Sequence, residues 1–314
     1  MTRLSQWHKK IVFLYPGQGS QKVGMGKDLL EQYPPAKKIF EEANDILGFN
    51  LSKTCLEGPE KELTRTTNLQ PALLTVSWIL TKLLKEKEVI PQAVAGHSLG
   101  EYSAILAAEV VDFPTALKIV KERARLMEEA GKDGKGAMAA VIGLDDGVVV
   151  DLCKEIKGVE AVNFNCPGQV VISGDKEKLK VASEELKRVG AKGVIFLSVT
   201  GAFHSFMVRE AAKKFSSLLD QFPFRDPCCP VVSNVTGEYA TSARQIKDNL
   251  KLQMDHPVLW EKGMRLLISD GFNIFVEVGP GKVLQGLMRR IDKKVVVSSV
   301  DRIESVKKLI QLLS

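Results

Sequence analysis

Short β-rich runs alternate with helical segments along this 314-residue chain, and the alternation is broken once. Alternation of that kind is best satisfied by a largely parallel sheet covered with helices, an α/β fold. The break follows the glycine-rich stretch Gly131-Lys132-Asp133-Gly134-Lys135-Gly136. After it come strand 137–142, helix 145–156, strand 160–165, a turn at Pro167-Gly168, strand 169–173, helix 175–189 and strand 193–199. This βαββαβ order predicts a ferredoxin-like unit, a small antiparallel sheet with two helices on one face. Beyond residue 203 the first pattern resumes, with strands near 230–234, 273–278 and 294–299 and an amphipathic helix ending near Leu313. The expected organisation is a large α/β domain made from residues 1–131 and 203–314, with a ferredoxin-like insertion at 132–202.

In the first part of the chain, residues 10–15 read as a strand ending at Pro16-Gly17, and 69–87 as a helix capped by Asn68. Ala93–Gly96 reads as a short buried strand that runs directly into a helix from Leu99 to Ala108. Asp112 with Pro114 signals the start of another helix, ending near Ala130. A hydrophobic fraction of 45% with 26% charged residues supplies a sizeable core and argues against disorder.

No apolar run approaches the roughly 18 residues that span a bilayer. Ile11–Tyr15 is too short for a signal-peptide core and lacks a cleavage site, so a cytoplasmic protein is expected. The five cysteines are odd in number and without CxxC spacing, and the four histidines are scattered. Buried free thiols in a reducing compartment are expected, and no metal site. The net charge of +6 is modest, with lysines spread over helix faces such as Lys176–Lys187. That pattern predicts solvated surface, with no nucleic-acid or membrane partner; an acidic partner or phosphate-bearing substrate is compatible with it.

Chemistry concentrates at Gly96-His97-Ser98-Leu99-Gly100, between a predicted strand and a predicted helix. A nucleophile elbow needs that context: glycines allow a crowded turn that exposes the serine hydroxyl, as in α/β-hydrolase-like sheets. The N–H of Leu99 would then point at an oxyanion formed beside Ser98. A serine nucleophile needs a base. His8 stands in the N-terminal arm, His97 should point away from its neighbour on a sharp turn, and His256 precedes Pro257 at a helix start. His204 remains, in Thr200-Gly201-Ala202-Phe203-His204-Ser205, where the insertion hands the chain back to the large domain. Gln18, flanked by Gly17 and Gly19 after the first strand, could bring a second N–H to the oxyanion. That loop lacks the lysine of a phosphate-binding P-loop, so nucleotide binding is not expected there.

Six stretches carry a resemblance. They are Tyr15-Pro-Gly-Gln-Gly-Ser-Gln21, Gly96-His-Ser-Leu-Gly-Glu-Tyr102, Gly136-Ala-Met-Ala-Ala140, Asn165-Cys-Pro-Gly-Gln169, Gly201-Ala-Phe-His204 and Glu277-Val-Gly-Pro-Gly281. Their order, from about residue 10 to 300, resembles the malonyl-CoA:acyl-carrier-protein transacylases. The resemblance implies malonyl transfer from malonyl-CoA to the pantetheine thiol of acyl-carrier protein, for fatty-acid synthesis, by a monomer. It implies Ser98 as nucleophile and His204 as base, with Gln18 and Leu99 in the oxyanion hole. Arg123 is similar to the arginine that holds the malonyl carboxylate; Arg125, on the same helix, is the alternative. Gln253 resembles the residue whose carbonyl orients the histidine, and Asn165 one that touches the pantetheine arm or caps a turn. Phe203 resembles the residue that crowds a branched α-carbon. Glu277–Gly281 reads as structural.

Physical chemistry supports an arginine in this role. A malonyl group differs from acetyl by a carboxylate, whose burial unpaired would be prohibitive. A guanidinium meets it with two parallel charge-assisted bonds. Exchange of one thioester for another calls for no ATP, metal or redox cofactor. A serine hydrolase shares the elbow and the histidine, and a non-catalytic carrier-binding module is the second alternative.

Overall fold

The computed structural model describes residues 10–314; His8 lies outside the described residues. The first strand, β1 (Ile11–Tyr15), is buried at all five positions. Its unbroken apolar run is what a strand covered on both faces requires. Phe13 and Tyr15 enter one apolar core while Val12 and Leu14 enter the other, on the opposite face of the sheet. Each such burial contributes about 1.5–3 kcal/mol relative to exposure.

Parallel to β1 lies β2 (Ala93–Gly96), in register from Val12 against Ala93 to Tyr15 against Gly96. The chain then builds a second sheet from β3 (Gly136–Ile142), β4 (Val159–Cys166), β5 (Gln169–Asp175) and β6 (Gly193–Phe196), before returning to the first. There it adds β7 (Val231–Val232), β8 (Tyr239–Ala240), β9 (Ile274–Val278) and β10 (Val296–Val300). The large sheet has the order β10-β9-β1-β2-β7-β8, parallel except for β8, which pairs antiparallel with β7. The small sheet has the order β4-β5-β3-β6 and is antiparallel throughout.

The pleat of the small sheet positions the site. Ala139, Val141, Val170 and Ile172 face its own two helices, Asp146–Glu155 and Lys176–Arg188. Their neighbours Met138, Ala140 and Val171 point the other way, into the core shared with the large sheet. One face is thus covered by its own helices and the other leans on the rest of the protein, with a cleft between.

Two local expectations change. The helix expected from residue 69 starts three residues earlier, at Thr66, and Asn68 lies inside it with its amide donating to the Glu62 carbonyl at 2.8 Å. The first turn is capped from outside: Glu128 accepts from the backbone N–H and the hydroxyl of Thr67, at 3.0 and 2.8 Å. Asp112 caps the helix Phe113–Ala130, accepting from the Thr115 N–H at 2.9 Å. The second change concerns the thiols. All five are free, but only Cys55, Cys153 and Cys166 are buried; Cys228 is exposed. Among the described residues no helix is long and apolar enough to cross a membrane.

Candidate active site

β1 and β2 end side by side, and the loops leaving them make the floor of the site. The exit from β2 is too crowded for any residue but glycine at two places. A Cβ on Gly96 would stand 1.9 Å from the Gly100 backbone, and one on Gly100 would stand 2.0 Å from the Tyr15 carbonyl oxygen. The resulting turn holds Ser98 at φ +50°, in the left-handed region that L-residues rarely occupy. Such a conformation persists where the surroundings over-determine it. Here Asn234 does so, accepting from the Ser98 N–H at 2.7 Å and donating to the Gly96 carbonyl at 2.7 Å.

His204 sits where the chain comes back from the small sheet, also in the left-handed region at φ +62°. Its backbone N–H donates to Met254 at 3.1 Å. The Ser98 hydroxyl donates to Nε2 at 2.7 Å, and Nδ1–H donates to the Gln253 carbonyl at 2.9 Å. That second contact fixes the tautomer whose Nε2 lone pair faces the serine. Burial, then the Arg123 charge, hold the imidazole well below its ordinary range, at about 3. It is therefore neutral at ordinary pH, with the Nε2 lone pair open to the serine hydroxyl.

Arg123 projects from the helix Phe113–Ala130 and is fully buried. Nη1 donates to Gln70 Oε1 at 2.9 Å, and Nη2 donates to Gln253 Oε1 at 3.0 Å and to Ser98 Oγ at 3.1 Å. Its guanidinium lies over the Tyr102 ring, 5.1 Å from the centroid. Every one of these partners is neutral. Burial draws its pKa below the usual arginine value, but guanidinium stays charged inside proteins. Arg125 faces outward, paired with Glu122 and Glu129.

Ser98, His204, Arg123, Gln18, Leu99 and Phe203 all line one cleft of about 640 Å³. Among the described residues the N–H groups of Gln18 and Leu99 have no partner within the protein. Asn165 is placed differently. It is buried away from the cleft, and its Oδ1 contacts His97 Nε2 at 2.8 Å. His97 lines the same cleft, its ring packed against Trp260 and bonded to Asn165. Two residues earlier on β4, Asn163 lines the cleft with its side-chain oxygen buried and unpartnered. The pairing of β4 with β5 shifts register between Phe164 and Cys166, so Asn165 falls in an irregularity of the strand and turns to His97 while Asn163 stays free.

Four residues of the site escaped the sequence reading: Gln70, Glu101, Asn163 and Asn234. Glu101 alone carried a signal, as the one charged residue in Gly100–Ala107, a helix buried at every position. Its oxygens accept from Gln253 Nε2 at 2.6 Å and from the Asn234 N–H at 3.2 Å. Burial pushes its carboxyl up to about 7, against those hydrogen bonds and the Arg123 charge, which pull it down. Glu277, equally buried, serves the fold: it accepts from the N–H groups of Leu284 and Gln285 at the start of the helix Val283–Ile291.

A parallel sheet that aims a serine hydroxyl at a histidine between two sheets places this chain in the acyl-transferring class of α/β proteins. Comparison with known proteins is more specific. Residues 12–311 match the family described as Acyl transferase domain. The Malonyl CoA-acyl carrier protein transacylase of Bacillus subtilis (strain 168) is 43% identical over 308 residues, 97% of each chain. An acyl carrier protein S-malonyltransferase from Vibrio cholerae superposes with a TM-score of 0.93 at 39% identity, over 96% of this chain and all of that one. A malonyl-transacylase solved in complex with a type II PKS acyl-carrier protein superposes with a TM-score of 0.94 at 39% identity, over 97% of this chain and all of that one. The chain belongs to the malonyl CoA-acyl carrier protein transacylase family.

Proposed function

We propose that this protein moves a malonyl group from malonyl-CoA to the pantetheine thiol of acyl-carrier protein, through a malonyl ester on Ser98. The observation that carries the reading is Arg123: a fully buried guanidinium 3.1 Å from the Ser98 hydroxyl, whose hydrogen-bond partners are all neutral, with the nearby Glu101 carboxylate held off behind Gln253. A buried guanidinium with no carboxylate hydrogen-bonded to it is costly. A ligand bringing a carboxylate would supply what the site lacks, and malonyl is an acyl group with a carboxylate.

In this reading His204 takes the Ser98 proton as the oxygen attacks the thioester carbonyl. The free N–H groups of Leu99 and Gln18 hold the oxyanion, and the protonated histidine returns its proton to the departing coenzyme A thiolate. The pantetheine thiol then attacks the malonyl ester, with the steps reversed. The unpartnered Asn163 oxygen offers an acceptor to an amide N–H of the pantetheine arm. Phe203, buried against the cleft, leaves little room for a methyl branch on the α-carbon. The reading places the enzyme in the cytoplasm, where its free thiols stay reduced.

Intact-protein mass spectrometry tests this. Malonyl-CoA should add one malonyl group, mapped to Ser98, and holo acyl-carrier protein should clear it much faster than buffer does. An adduct that buffer clears equally fast would make the protein a hydrolase, and an absent adduct would end the reading.

A further inference from the structure

Behind the Ser98 turn, on the side away from the cleft, Glu101 joins two residues that grip the turn from opposite ends. Asn234 holds the Ser98 N–H and the Gly96 carbonyl, and gives its own N–H to Glu101. Gln253 Nε2 donates both to the Ser98 carbonyl, at 2.9 Å, and to Glu101. The same Gln253 presents its backbone carbonyl to His204 and its side-chain oxygen to Arg123. Glu101 is thus one bond from both residues that fix Ser98, and two from His204 and Arg123.

We infer that Glu101 is a positioning residue for acyl transfer, a two-oxygen clamp that keeps Ser98 and His204 in register by holding Asn234 and Gln253 together. The inference rests on the reading of Ser98 and His204 given above. Its logic is donor–acceptor matching. Both neighbours present N–H groups, and an ionised carboxylate is an acceptor at both oxygens, whereas an amide or a protonated acid is a donor at one end. With Ser98 and His204 both in strained left-handed backbone, a slackened clamp lets the pair drift. A misplacement of about 1 Å can lower a rate by about 10²-fold.

The clamp carries a pH signature. The groups facing Glu101 are Arg123 from the helix Phe113–Ala130, Tyr102 on its own helix, and His204 beyond Gln253. The Arg123 charge favours the carboxylate, burial opposes it, and the balance falls at about 7. Above that pH both oxygens accept; below it one oxygen carries a proton toward an N–H. Burial and the Arg123 charge move His204 the other way, downward, and a limb that Glu101→Gln removes is assigned to Glu101.

The test is single-turnover acylation by malonyl-CoA, followed by quenched mass spectrometry from about pH 5 to 8.5 in wild type and Glu101→Gln. Wild type should slow as pH falls through 7. Glu101→Gln should be about 10–100-fold slower at pH 8, with half-saturation by malonyl-CoA within about twofold and the limb near 7 gone. A wild-type profile flat through 7, or a variant as fast as wild type, would overturn the inference. If Glu101→Gln does not fold, Glu101→Asp, which keeps the carboxylate but shortens its reach, should slow acylation while keeping the limb, and unchanged acylation there would overturn the inference. Failure of wild type to acylate at any pH would instead strike the functional reading beneath it.

Discussion

The helix Phe113–Ala130 carries two arginines that sequence alone treats alike, and its two faces handle them in opposite ways. Arg123 and Arg125 are two residues apart, about 200° around a helix of 3.6 residues per turn. Arg125 is half exposed and takes two carboxylates from its own helix, at 2.9 and 3.0 Å. Arg123 is sealed from solvent and held by two glutamine oxygens, a hydroxyl and an aromatic face. On the outside, pairing costs little and contributes little, about 0–1 kcal/mol. On the inside, a resident carboxylate on Arg123 would have neutralised the charge. Glutamine carbonyls orient the guanidinium, and Gln253 keeps the Glu101 carboxylate out of its hydrogen-bond reach. In the proposed reading, the difference separates an arginine that decorates a surface from one that is kept for an anionic ligand.

The comparison can be broken from either side. The largest effect belongs to the inner face. Ser98→Ala should leave the fold intact, since it removes one hydroxyl, and should abolish the malonyl adduct in intact-mass measurements. An adduct that persists would mean that the inner network serves some other nucleophile. The smallest effect belongs to the outer face. Arg125→Ala should leave transfer within about twofold and stability within about 0.5 kcal/mol of wild type, read by kcat/KM and by denaturant midpoint. A large kinetic loss there would collapse the distinction between the two faces.

The fold was legible wherever the code is local. The unbroken run Ile11–Tyr15 announces a strand buried on both faces, and the period switches after Gly136 announce the small sheet. Glycines on both sides of His97-Ser98-Leu99 announce a turn that no other residue could close. What escaped depends on distant partners. Asn68 has the chemistry of a helix cap, but Glu128, 61 residues away, caps Thr67 instead. A strand expected over 230–234 shrinks to Val231–Val232 because Asn234 turns out of the sheet to hold the Ser98 loop. Gln70 and Asn234 look like any other polar residue until the chain brings them to Arg123 and Ser98. Asn163 and Asn165 are two residues apart on β4, and a register shift between Phe164 and Cys166 together with the His97 contact separates them.

In the proposed reading Arg123, with no carboxylate hydrogen-bonded to it, selects the acyl group, and one comparison of rates bears on this directly. The measurement is kcat/KM for malonyl-CoA and acetyl-CoA in wild type and Arg123→Ala. Removing one partner of a buried charge pair costs roughly 3–5 kcal/mol, so malonyl transfer should fall by roughly 10²–10⁴-fold. Acetyl transfer, which brings no carboxylate to the site, should change far less. Equal losses for the two substrates would contradict the account and leave Arg123 as a support for the serine alone.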